Sequence, residues 1–322
     1  SNDSNVFDEP LLADGVSPQM FMSENFSLFS IHIPILHPLF FIYVSILQVY
    51  TGMLATLRYR QPSVLVFAEG TSMQDEVSSQ AAKTLSIPTV RMQSGRGGVM
   101  HCGYRNMSFD KMLCWGEGFV QHYKKHSPGP VYEVTGTPLF NDLKKKGHPK
   151  KKFTIAIFTQ PISKHISNHE YATLINICNT VLKNLPHVKV IVRKHPADIS
   201  TDFNTLSLQY PDHVRLMPAT HFTLTEVMNE IDCAIGFYST TLSEAAACDV
   251  IPIIIKMRDQ HSIFPFPEKH GAAIIADGNS TSIDIITDIM KNPSKFLETR
   301  KNMKIFSNKF FGINDGQTMK RI

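Results

Sequence analysis

The sequence predicts an α/β protein: two doubly wound domains of parallel strands that face each other across a cleft. Three observations predict it. Short apolar runs of strand length recur along the chain and alternate with segments of helical length, the pattern of parallel βαβ units. A charged, breaker-rich stretch, Lys144–Lys152 with Gly147 and Pro149 inside it, interrupts the alternation, which then restarts. The length of 322 residues accommodates two domains, at roughly 150 residues each. The expected organisation is residues 1–143 as a first Rossmann-like domain, 144–152 as a basic linker and 153–322 as a second Rossmann-like domain.

Taken in order, residues 1–25 are polar and without clear period. Ile31–Leu54 is the one membrane candidate, but His32, Pro34, His37, Pro38 and Gln48 interrupt it, and no run of about 20 apolar residues remains. A buried helix over about Leu39–Leu57 is expected instead, ending before Arg58-Tyr59-Arg60. Ser63–Ala68 reads as a strand apolar on both faces and ends at Glu69-Gly70. Ser72 or Thr71 can cap a helix over about Gln74–Leu85. Ile87–Met92 is the next strand, followed by a glycine loop from Gln93 to Gly98. Lys111–Trp115 is a strand, Gly116-Glu117 opens a helix to about Lys125, and Val131–Val134 is a further strand.

In the second half the expected strands are Phe153–Thr159, Val188–Arg193, Val214–Met217, Cys233–Phe237, Ile251–Ile255 and Ala272–Ile275. The expected helices are Asn168–Leu185, Leu224–Glu230, Thr240–Ala247, Ser282–Lys291 and Pro293–Phe306. Val188–Val192 is β-branched and nearly uniform, as a strand buried on both faces should be.

Composition narrows the function classes. Hydrophobic content of 43% excludes a disordered chain. The net charge of +4 is a mild basic bias without a nucleic-acid motif, so no nucleic-acid partner is expected. A weak attraction to an anionic membrane surface stays open. The five cysteines, at 102, 114, 178, 233 and 248, are odd in number and lack CxxC spacing. Free core thiols in a reducing compartment are expected, with no secretory signal, hence a cytoplasmic protein with peripheral attachment to the inner face of the membrane left open. No GxGxxG follows the first strand, and neither GxxxxGK[ST] nor a metal-holding Asp-x-Asp after a strand is found. No cofactor and no metal are therefore expected.

Two short pieces carry the chemistry. His195-Pro196 ends one strand, since proline lacks a ladder donor. Ser239-Thr240-Thr241 ends another and opens a helix. Alone, each reads as an ordinary surface or capping feature. Together, at the carboxyl ends of neighbouring strands of one sheet, they border the crevice where open α/β sheets bind ligands. Capping hydroxyls, free N–H groups and the helix dipole form an anion site, and an imidazole beside it can stabilise charge on a leaving phosphate. The candidate nucleotide-binding residues are His195, Pro196, Ser239, Thr240, Thr241 and Glu244, the last placed for a ribose or else a solvated carboxylate. Glu69 is the candidate general base, with Asp75 or Glu76 as its rival, both of which also read as ordinary acids at a helix N-terminus. Asp232, Asp198 and Glu69 are each conceivable as the nucleophile of a retaining reaction, so inversion and retention both stay open. Gln93 and Arg96, in the glycine loop, are candidates for acceptor binding.

Glu69-Gly70, Arg193-Lys194-His195-Pro196 and Tyr238-Ser239-Thr240 resemble the acidic-Gly, His-Pro and Ser/Thr motifs of bacterial sialyl- and polysialyltransferases. The wider pattern is similar to Kdo transferases and CDP-glycerol polymerases. Phe109–Gly116 and Val134–Asn141 resemble the strand and the linker-preceding segment of those families. The resemblance covers about Ser63–Ile255, departing where Ala68 stands for the first acid and Ser-Thr for the commoner Ser-Ser. It implies a metal-independent GT-B glycosyltransferase that takes a nucleotide-sugar donor, a CMP-linked Kdo or sialic acid, and a capsule or lipopolysaccharide glycan or glycolipid acceptor. Two other readings stand beside it. One is an isomerase like the UDP-N-acetylhexosamine 2-epimerases, whose Ser-Gly-Gly phosphate loop Ser239-Thr240-Thr241 lacks. The other is a non-catalytic nucleotide- or carbohydrate-binding subunit of the same fold.

Overall fold

A computed structural model describes residues 38–68, 72–95, 104–140, 152–163, 166–237, 239–257, 265–312 and 317–322. The chain divides into two compact units, residues 1–136 with Ile322 and residues 137–321. Of the basic linker expected at 144–152, only Lys152 lies among the described residues.

The first unit holds a helix α1 (Pro38–Arg60), then β1 (Leu65–Phe67), α2 (Met73–Thr84), β2 (Thr89–Met92), β3 (Lys111–Cys114), α3 (Glu117–Lys124) and β4 (Val131–Val134). Its strands pair in parallel in the order β1-β2-β3-β4. The order never reverses, so the described strands contain no switch point of the kind that binds ligands.

Two expectations are corrected here. The helix expected to be buried lies on the surface: of its described side chains only Ile46 and Leu57 are buried, and Ile42 is 50% exposed. One stripe, with Tyr50, Met53, Leu54 and Leu57, packs on Ala81 and Ala82 of α2, while Gln48, Thr51 and Thr56 face solvent. The strand β1 is not buried on both faces either. Val64 and Val66, two residues apart and so on one face, are 43% and 52% exposed, and β1 pairs only with β2 among the described strands. The centre of the unit buries a cation: the Arg91 guanidinium lies 4.2 Å from the centre of the Tyr104 ring, and its burial pulls its pKa down.

The second unit runs β5 (Thr154–Phe158), α4 (Asn168–Asn184), β6 (Lys189–Arg193), α5 (Asp202–Gln209), β7 (Val214–Leu216), α6 (Leu224–Glu230), β8 (Cys233–Gly236), α7 (Thr240–Ala247), β9 (Ile251–Ile255), β10 (Ile274–Ala276), α8 (Gly278–Lys291), α9 (Leu297–Phe311) and α10 (Thr318–Arg321). All described pairings in its six-stranded sheet are parallel, in the order β10-β9-β8-β5-β6-β7. Numbered from β5, and read from the β7 edge, that is 3-2-1-4-5-6, the doubly wound dinucleotide-binding order, with its reversal between β5 and β8. Every residue of β9 is buried, as are Ile155–Phe158 and Val190–Val192, each large aliphatic side chain stabilising the fold by about 1.5–3 kcal/mol.

The helix α5 was not expected. It is short, and only Phe203 and Leu206 turn inward, too brief a period to read. The strand expected at Ala272–Ile275 begins at Ile274, because Gly271 adopts a left-handed conformation (φ 63°) and Ala272 N–H donates to Pro267 O.

Candidate functional site

Three strand ends stand level in the second unit. Phe158 of β5 pairs in register with Arg193 of β6, and Ile157 pairs with Ile235 of β8. Gly236 allows a close approach at the end of β8, where a Cβ would lie 3.2 Å from Phe158 O. His195 and Ser239 leave β6 and β8 at this carboxyl edge, but these strands are not neighbours as expected: β5 runs between them. The residue that follows β5, Thr159, stands between the two motifs and had no signal in the sequence.

Thr159 joins the strand ends. Its N–H donates to Arg193 O at 3.1 Å, and His195 N–H donates to its Oγ1 at 3.2 Å. The turn after β6 closes when Asp198 N–H donates to His195 O at 2.9 Å. Inside that turn, Ala197 N–H donates to His195 Nδ1 at 3.1 Å. Nδ1 is therefore the acceptor, and the neutral ring carries its proton on Nε2. Nε2 has no partner among the described residues, and His195 and Pro196 are both exposed.

The second element is the N-terminus of α7. Ser239 Oγ accepts from Thr241 N–H at 3.2 Å, Thr240 is exposed, and the first turn has no acidic residue. Three other helices close their ends with their own carboxylates. In α2, α4 and α6 a capping box pairs Ser72 with Asp75, Ser167 with Glu170 and Thr223 with Glu226. The two Thr223 donors hold the Glu226 carboxyl below its ordinary pKa. At the sheet's switch point the helix after β5 is thus already neutralised by its own carboxylate, whereas the first turn of the helix after β8 contains none.

Glu244 lies on α7, near enough to Arg193 that its charge supports the guanidinium against burial, which pulls the Arg193 pKa down. Arg193 Nη1 donates to Phe222 O at 2.8 Å and so ties β6 to the start of α6.

Several expected site residues lie elsewhere. Asp232 precedes β8 at the amino end of the sheet, where its carboxylate accepts from Thr154 N–H at 2.9 Å; a nucleophile's role at the opposite edge does not fit. Asp198 is 8% exposed and accepts from Thr159, Tyr171 and Ser200, which removes it as a nucleophile. Asp75 is the capping carboxylate of α2, accepting from Ser72 Oγ at 2.7 Å and Ser72 N–H at 3.1 Å, so its catalytic reading gives way to the ordinary one. Gln93 is buried; its Oε1 accepts from Trp115 N–H and its Nε2 donates to Gly95 O, so it ties the loop to β3 in place of facing an acceptor. Glu69, Arg96 and Tyr238 lie outside the described residues. Among the described residues, no cluster of three or more His, Cys, Asp or Glu could hold a metal, and no helix is long and apolar enough to cross a membrane.

Two parallel-sheet, Rossmann-like units define the fold class as GT-B. No protein-family model matches the chain, and no curated protein matches it in sequence. Solved structures do match. The UDP-GlcNAc 2-epimerase from Neisseria meningitidis bound to UDP-GlcNAc superposes with a TM-score of 0.59 at 12% identity, over 92% of this chain and 84% of that one. The wall teichoic acid polymerase TagF, with CDPG soaked in, gives 0.54 at 11% identity, over 80% and 70%. MurG from Acinetobacter baumannii gives 0.51 at 13% identity, over 86% and 79%. At such identities the likeness establishes the fold.

Proposed function

We propose that this chain is a glycosyltransferase that moves a sugar from a nucleotide-activated donor, a CMP-linked Kdo or sialic acid, onto a capsule or lipopolysaccharide glycan. One observation carries the reading: across β5, an imidazole held with its proton on Nε2 stands at the same sheet edge as a helix N-terminus without a carboxylate. Both are donors, and a donor pair suits a phosphate. When the bond from the anomeric carbon to the phosphate oxygen breaks, negative charge gathers on that phosphate. The Nε2–H of His195 and the end of α7 stabilise it. With Nδ1 engaged, His195 donates and does not act as the base. Glu69 takes the proton of the attacking acceptor hydroxyl in an inverting reaction.

The nucleotide is proposed as a monophosphate because the helix after β5, which in doubly wound folds also cradles phosphate, is closed by Glu170. The similar epimerase from Neisseria meningitidis is bound to UDP-GlcNAc, so the isomerase reading is the rival. Titration with CMP, CDP and UDP separates them. CMP binding best supports the transferase; UDP binding best, with interconversion of UDP-N-acetylhexosamines, contradicts it.

A further inference from the structure

The turn that holds His195 is built on a buried carboxylate that the proposed chemistry does not use. Asp198 is 8% exposed, and its carboxylate has only neutral donors among the described residues. Thr159 Oγ1 donates to Oδ2 at 2.5 Å, Tyr171 OH donates at 3.0 and 3.2 Å, and Ser200 N–H donates to Oδ1 at 3.0 Å. Burial first, and then the Asp198 charge, push the Tyr171 phenol pKa up, so it stays a donor. A desolvated carboxylate without a basic partner is costly unless such bonds satisfy it.

The arrangement orders His195. Thr159 has one hydroxyl proton, and Asp198 takes it. The oxygen is left as an acceptor, and His195 N–H fills it at 3.2 Å. Asp198 N–H holds His195 O at 2.9 Å. The backbone of His195 is thereby pinned at both its N–H and its carbonyl, and Ala197 N–H meets the ring at Nδ1. Without the carboxylate the Thr159 hydroxyl could turn its proton toward His195 N–H and repel it.

We propose that Asp198 and Thr159 are positioning residues for His195, fixing the imidazole as an Nε2–H donor; this rests on the reading of His195 as the phosphate donor. Tyr171 supports Asp198 from behind, with its ring against Phe203 (5.9 Å between centroids).

The test uses the full chain, with Thr159→Val and Thr159→Ser made alone and in combination with His195→Ala. Without ligand, amide exchange at His195 and Ala197 should accelerate about tenfold or more in Thr159→Val and return toward wild type in Thr159→Ser. Unchanged exchange at these two amides overturns the proposal. With CMP as probe, Thr159→Val should weaken binding about tenfold when His195 is present and no further when it is alanine. An equal loss in both backgrounds also overturns it, because Thr159 would then act by itself. If the wild type binds no CMP, CDP or UDP, the functional reading falls and the exchange measurement alone decides the positioning role. Should Thr159→Val not fold, Tyr171→Phe, which removes one donor from Asp198, takes its place in the same measurements.

Discussion

Ala197 N–H donates to Nδ1 of His195 at 3.1 Å, and this contact decides what the imidazole can do. A ring whose Nδ1 accepts must carry its proton on Nε2 when neutral. It can give a hydrogen bond to an anion from Nε2, but its only basic nitrogen, Nδ1, is already occupied by the Ala197 N–H. His195→Ala should therefore lower turnover by about 10²-fold. His195→Gln, whose amide can donate from a similar distance, should recover part of that loss. Steady-state kinetics on both variants checks this, and normal turnover in His195→Ala would reduce the residue to a turn former.

The open end of α7 makes a trade-off measurable. Thr240 is exposed and lies in the first turn. Thr240→Glu places a carboxylate where the helix dipole favours it, by about 0.3–1 kcal/mol. The melting temperature should hold or rise while nucleotide affinity falls by about tenfold or more. Weaker stability together with unchanged affinity would contradict the anion site.

Two carboxylates near the end of β1 are to be separated by isosteric amides. Asp75→Asn removes half of the capping box of α2 and should cost about 1 kcal/mol in urea unfolding, with transfer nearly intact. Glu69→Gln should abolish most transfer with little change in stability. If the rates fall the other way round, the base is Asp75.

Acid should weaken the first unit through His122. Burial, then the charges of His126 and Lys125, pull this imidazole from its ordinary 6.5 to about 4. Burial likewise lowers the pKa of His126. A base with a depressed folded pKa binds its proton more readily in the unfolded chain. Its contribution is complete above the ordinary value and is lost as the pH falls from 6.5 toward about 4. The urea midpoint should drop as the pH falls from 6.5 to about 4, and His122→Gln should flatten that drop. An unaltered slope in the variant would assign the acid sensitivity to other groups.

The second unit was legible because its signals are local. Leu224–Glu230, Thr240–Ala247 and Ile251–Ile255 have the bounds expected of them, each being an apolar run or a capped helix readable in its own residues. Thr159 was not legible, since its importance comes from Asp198, 39 residues on, and from a strand order in which β5 separates β6 from β8. The surroundings of Asp232 and Asp75 were not legible for a related reason. Which end of a strand an acid occupies, and whether it caps a helix, depends on partners such as Thr154, 78 residues before Asp232. The Ser167–Glu170 and Thr223–Glu226 boxes could have been read from their spacing, and with them the contrast between α4 and α7.

The most direct test is a crystal structure of the full chain with CMP. The phosphate should lie against the first turn of α7 with the Nε2–H of His195 donating to it, and Ala197 N–H should still be on Nδ1. A phosphate bound to the first unit, or one bound in the second with His195 turned away, would contradict the assignment of the donor site.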